Sequence, residues 1–199
     1  MQKLSREFYT RPDTLQVARD LLGKSIVVPN ETGERISGII VETEAYCGIE
    51  DKAAHSYGNR RTKRTKTMFA VGGTAYVTFI YGMYFQFNVV VGEIGTPHAC
   101  LIRAVAPLEK IETMRARRGA MKETNLTSGP GKLCIAFGID KTFNDEDLLG
   151  DKVWIEDGAK INSDEIAVGK RIGIDYAEDY AEKPWRFWVK SNPFVSRNK

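Results

Sequence analysis

Residues 74–91, TAYVTFIYGMYFQFNVVV, restrict the fold more than any other stretch of the chain. β-Branched and aromatic residues fill both halves, and Gly82 breaks the run near its middle. The pattern predicts a β-hairpin with Tyr81, Gly82 and Met83 at its tip. An isolated hairpin is marginal in water, so more strands and a covering layer must pack on it. Strands are predicted over 25–28, 37–46, 99–105, 153–156, 171–175 and 185–189. A helix is predicted from an Asp13 cap through Leu15, Ala18, Leu21 and Leu22, with Gly23 as its stop. Asp51 reads as the start of a brief helix through Ala53, Ala54 and His55. Pro107 suits the first position of a helix carrying Ile111 and Met114. SGPGKLCIAFG reads as a turn into a short helix. Hairpins mixed with helices point to an α+β fold with a largely antiparallel or mixed sheet rather than a doubly wound one.

At 199 residues the chain suits one domain, spanning 1–199, and can bury a core without staples. Its 3 cysteines lack CxxC spacing and it has 2 histidines, so neither a disulfide framework nor a metal site is expected. No signal peptide is read at the start, and no apolar run is long enough to span a membrane. The expectation is an intracellular protein without membrane contact.

A net charge of +3 is only mildly basic. Its distribution is more informative. RRTKRTK gathers Arg60, Arg61, Lys63, Arg64 and Lys66, with Thr62 and Thr65 as further donors to phosphate. Arg115, Arg117 and Arg118 form a second cluster beside Lys110 and Lys122. Either cluster also fits a solvated face.

In IIVETEAY, strand alternation puts Ile40, Glu42, Glu44 and Tyr46 on one face, and Ile39, Val41, Thr43 and Ala45 on a core face. A carboxylate and an aromatic two residues apart then share one pocket, or lie on an ordinary exposed face. Tyr81 on a hairpin tip is poorly placed for burial and well placed to wedge between bases. Asn88, an amide within a β-run, needs partners or reads a ligand edge. Arg103 within an apolar strand must be paired, for which a structural salt bridge suffices.

Taken in order, IVETEAYCGIEDKAAHS, RRTKRTKTMF, GGTAYV, YGMYFQFNVV, LIRAVAPLE and TSGPGKLCIAFGID resemble the alkyladenine (3-methyladenine) DNA glycosylases over nearly the whole chain. The resemblance implies a single domain around a curved antiparallel sheet with flanking helices, similar to the C-terminal domain of formyltransferases. It implies Glu44 as general base, Tyr46 and His55 as stacking partners of a flipped purine, and Tyr81 as the residue inserted into the duplex. It implies Asn88 as the group rejecting guanine's amino substituent, and Arg103 near the catalytic water and a phosphate. Thr78 stands where the family commonly has an aromatic, which bears on the range of bases accepted. Glu42 is expected to be structural or water-facing.

The implied activity is hydrolysis of the bond between sugar and purine in duplex DNA. Candidate bases are 3-methyladenine, 7-methylguanine, hypoxanthine and ethenoadenine. The enzyme is expected to be monomeric, to use no cofactor and to leave the strand intact. A non-catalytic binder of damaged nucleic acid and a small-molecule hydrolase are the competing readings.

Overall fold

A computed structural model describes residues 2–119 and 122–196. The helices are α1 (Arg6–Tyr9), α2 (Thr14–Asp20), α3 (Ile111–Arg118) and α4 (Pro130–Phe137). The strands are β1 (Ser25–Pro29), β2 (Arg35–Cys47), β3 (Ala75–Ile80), β4 (Tyr84–Val91), β5 (His98–Glu109), β6 (Trp154–Glu156), β7 (Ile166–Gly169) and β8 (Arg186–Val189). All strands join one 8-stranded sheet in the order β3-β4-β5-β2-β1-β6, with β8 paired to β2 and to β7. Every pairing is antiparallel. The architecture is α+β, as the hairpin-and-helix order predicts.

Helix α2 forms where expected. The Asp13 carboxylate accepts from the Gln16 N–H at 2.9 Å, and Val17, Ala18, Leu21 and Leu22 are buried. Gly23 ends the segment at φ 82, where an added Cβ would come within 2.2 Å of the Ala159 carbonyl. The β3–β4 hairpin turns at Tyr81 and Gly82, and the Met83 N–H closes the turn on the Ile80 carbonyl.

β2 organises the molecule. Along one edge it pairs with β5. Along the other, Arg35–Ile39 pairs with β1, and Glu42–Glu44 with β8. Near this change of partner the β2–β5 register passes over Val41 on one strand and Arg103 on the other. Such bulges shift side-chain parity. Ile40, expected beside Glu44, therefore joins Ala45 in the main core. Thr43 donates to the Ala18 carbonyl on the same side. Glu42, Glu44 and Tyr46 lie on the opposite face.

That alternation continues across the sheet. Phe87, Val89, Cys100 and Ile102 enter the main core. Asn88, Ala99 and Leu101 face the other side.

Other segments differ from expectation. Pro107 lies inside β5, opposite Gly38 at a register shift. A residue without an N–H is tolerated there, and the helix begins only after Lys110. No helix forms at Asp51, because its carboxylate accepts from the backbone N–H groups of Cys47 and Ala53 and folds the segment into turns. Residues 171–175 are not a strand. The Ile172 N–H goes to a carboxylate instead, and β7 supplies the strand that pairs with β8.

Candidate active site

The polar face of β2 carries a buried charge network. Glu44 is fully buried. Its Oε1 accepts from Arg103 Nη1 at 3.1 Å and from the Ile172 N–H at 2.8 Å, while Oε2 accepts from the Tyr46 hydroxyl at 2.8 Å. Burial first, and then the Glu44 charge, raise the Tyr46 phenol well above its usual range, so it stays a donor. Arg103 Nε also lies 3.3 Å from Glu42. Glu42, equally buried, accepts from Arg186 and from the backbone and hydroxyl of Ser196. Flanked by β5 and β8, these carboxylates are shut off from solvent. Two guanidinium groups offset the charge that burial would otherwise penalise.

A second buried pair braces the site. Arg171 donates to both Asp51 oxygens at 2.6 and 2.9 Å and to the Ala45 carbonyl. Its guanidinium lies 4.7 Å from the centre of the Tyr46 ring, covering one face of that ring.

Above the network opens a cavity of about 320 Å³, within the size range of ligand sites. Tyr46, His55, Asn88, Arg103 and Tyr81 all line it, as do Ile172 and Tyr176. Glu44 itself lies beneath the lining, reached through its donors Tyr46, Arg103 and Ile172. Both amide hydrogens of Asn88 are used, on the carbonyls of Tyr76 and Gln86, which fixes the side chain. Thr78 is buried on the face shared with Tyr76 and Asn88, but stands outside the lining.

His55 sits in a chain of hydrogen bonds. Arg64 Nη2 donates to His55 Nε2 at 3.0 Å. A guanidinium only donates, so His55 carries its proton on Nδ1 and donates to the Tyr76 hydroxyl at 2.9 Å. Burial, with a smaller contribution from Arg64, lowers the His55 pKa to about 4. An unfolded histidine titrates near 6.5, so between about pH 6.5 and 4 the unfolded chain takes a proton that the folded one refuses. Stability is therefore expected to fall as pH drops through that window. In thermal melts His55→Gln should flatten the dependence, whereas an unchanged slope would show that other groups cause it.

Tyr81 is 76% exposed and adopts φ 55, followed by Gly82 at φ 67. Both central positions of the Ile80–Met83 turn thus have positive φ, which Asn and Gly adopt far more readily than a bulky aromatic. A tyrosine there is strained by roughly 1 kcal/mol. Tyr81→Asn is expected to raise the melting temperature by a few degrees. A lower melting temperature would mean that the ring has a stabilising role.

The basic clusters separate on structural grounds. Arg60, Arg61 and Lys63 are exposed, with Arg61 over the Phe69 ring. Lys66 lies 3.8 Å from Asp145. Thr65 does not point to solvent. It is buried, donates to the Arg60 carbonyl, and exchanges backbone-to-hydroxyl bonds with Thr62. In the second cluster, Arg117 and Arg118 donate to the carbonyls of Ala136 and Leu126, and Arg115 contacts Glu112 and Glu123. That cluster ties α3 to its surroundings. Among the described residues no group of three or more His, Cys, Asp or Glu is arranged to hold a metal, and no helix is long and apolar enough to cross a membrane.

Sequence reasoning did not find Asp51, Arg171 or the Ile172 N–H. Asp51 and Arg171 are charged residues next to apolar segments, which is a cue to burial but not to pairing.

Comparison with known proteins identifies the family. A family model described as methylpurine-DNA glycosylase matches residues 7–193. The chain is 51% identical over 205 residues to a protein of Clostridium novyi (strain NT), covering 99% of this chain and 100% of that one. It is 52% identical to a protein of Alkaliphilus oremlandii (strain OhILAs), covering 98% and 99%. A Bacillus cytotoxicus protein is 49% identical, covering 93% and 95%. All of these relatives are named provisionally as 3-methyladenine DNA glycosylases. The chain belongs to the methylpurine-DNA glycosylase family.

Proposed function

We propose that this protein is a monofunctional DNA glycosylase that flips a damaged purine from duplex DNA and hydrolyses its bond to the sugar with a water activated by Glu44. The observation that carries the reading is the Glu44 carboxylate, held by Arg103, Ile172 and Tyr46 directly behind a cavity that Tyr46, His55 and Asn88 line. Arg60, Arg61 and Lys63 grip the backbone without regard to sequence. Tyr81 fills the gap left by the base, and the flipped purine stacks on the Tyr46 face that Arg171 leaves open.

Glu44 Oε2 receives one hydrogen bond from Tyr46 and has acceptor capacity left, but the carboxylate is fully buried, so the water reaches it only when Tyr46, Arg103 or the Ile172 segment shifts as the base enters. As the glycosidic bond breaks, the purine leaves with the bonding electrons. The water oxygen attacks the anomeric carbon and its proton passes to Glu44. The carboxylate also stabilises the developing oxocarbenium charge. Arg103 and Ile172 position the carboxylate for both tasks. Asn88, fixed by its two donated bonds, crowds the amino substituent of guanine-type bases. No lysine enters the scheme, so the strand stays intact.

Duplexes carrying one defined lesion test this reading. The expected products are a free damaged base and a strand that breaks only after alkali. Strand cleavage without alkali, or borohydride trapping of a protein–DNA adduct, would overturn the monofunctional assignment.

A further inference from the structure

The candidate base cavity carries a cation that no carboxylate balances. Arg103 is paired with Glu42 and Glu44, and Arg171 with Asp51. Arg64 also lines the cavity, and its hydrogen-bond partners are two neutral groups, the His55 ring and the Tyr76 hydroxyl. Among the described residues no carboxylate pairs with it. Arg64 stands where this cavity meets a second one of about 440 Å³, which Lys52, Arg60 and Thr62 help to line.

We propose that Arg64 is a specificity-determining residue of the base cavity, favouring neutral purines that present an acceptor atom towards its guanidinium and disfavouring purines that carry positive charge. This rests on the glycosylase reading and goes beyond it, since that reading gives Arg64 no role in the base cavity.

A guanidinium has five N–H donors and a permanent charge. Donors are spent on His55 Nε2 and on the Tyr76 hydroxyl. The remainder of the fork meets the edge of a flipped base that points to the part of the wall formed by Arg64. A neutral base such as hypoxanthine keeps its carbonyl and ring-nitrogen acceptors for those donors. A purine methylated on a ring nitrogen loses one acceptor and gains a positive charge. Two like charges in a partly desolvated cavity repel more strongly than in water. The opposing attraction of the aromatic wall is already reduced, because the Arg171 guanidinium lies 4.7 Å from the Tyr46 ring centre. Being exposed, Arg64 can be replaced without disturbing the core.

The test is single-turnover release of hypoxanthine and of 7-methylguanine from otherwise identical duplexes, by the unaltered protein, Arg64→Ala and Arg64→Gln. The hypoxanthine-to-methylguanine rate ratio is expected to fall about tenfold in Arg64→Ala, the scale of one lost charge-assisted hydrogen bond. Arg64→Gln keeps a donor without the charge and should fall between. Equal losses on both bases, relieved at low salt, would identify a backbone-phosphate contact. They would overturn the specificity role while leaving the glycosylase reading intact. Release of neither base by the unaltered protein would overturn both.

Discussion

Glu44→Gln is expected to lower base release by at least about 100-fold and by as much as 10,000-fold, the usual range for losing a general base. Glutamine keeps the shape of the side chain and one oxygen, but it cannot take a proton from water or stabilise an oxocarbenium ion. Affinity for a duplex containing an abasic-site analogue should change little, because in the proposed function backbone contacts and Tyr81 supply it. The fold should survive, although the amide cannot match all three donors that now converge on the carboxylate. Circular dichroism and a binding titration establish both points before any rate is compared.

Arg171→Met is expected to cost about 3–5 kcal/mol of stability, the usual consequence of leaving one member of a buried ion pair alone. Asp51 is fully buried, and the 2.6 and 2.9 Å bonds from Arg171 carry most of its charge compensation. The same guanidinium donates to the carbonyls of Ala45 and Tyr180, so its loss also frees the segment that brings the Ile172 N–H to Glu44. Chemical denaturation should show the loss. The double variant Arg171→Met with Asp51→Asn should recover part of it, since the uncompensated charge is then gone. A cost below about 1 kcal/mol would mean that the pair behaves like an exposed one and does not brace the site.

Features built from neighbouring residues were legible in the sequence. The hairpin shows in its β-branched run and in Gly82, and α2 shows in Asp13 and its apolar spacing. The Glu44–Tyr46 pairing follows from their separation of two along a strand. What was illegible depends on register or on distant contacts. Nothing in IIVETEAY marks the bulge at Val41, so strict alternation placed Ile40 with the carboxylates although it belongs with Ala45. Pro107 reads the same in a first helical turn and at a strand irregularity. Asp51 and Arg171 lie 120 residues apart, and nothing local pairs them. The Ile172 N–H is a backbone group and leaves no trace in residue type. Thr62 and Thr65 suited a phosphate-binding loop by composition, but their hydroxyls satisfy that loop's own backbone.

The most direct measurement of the central claim is single-turnover release of free 7-methylguanine from a duplex holding one such base, by the unaltered protein and Glu44→Gln side by side. Release by the unaltered protein, with a loss of about 100-fold or more in the variant at matched DNA binding, is the predicted result. Equal rates in the two proteins would contradict it.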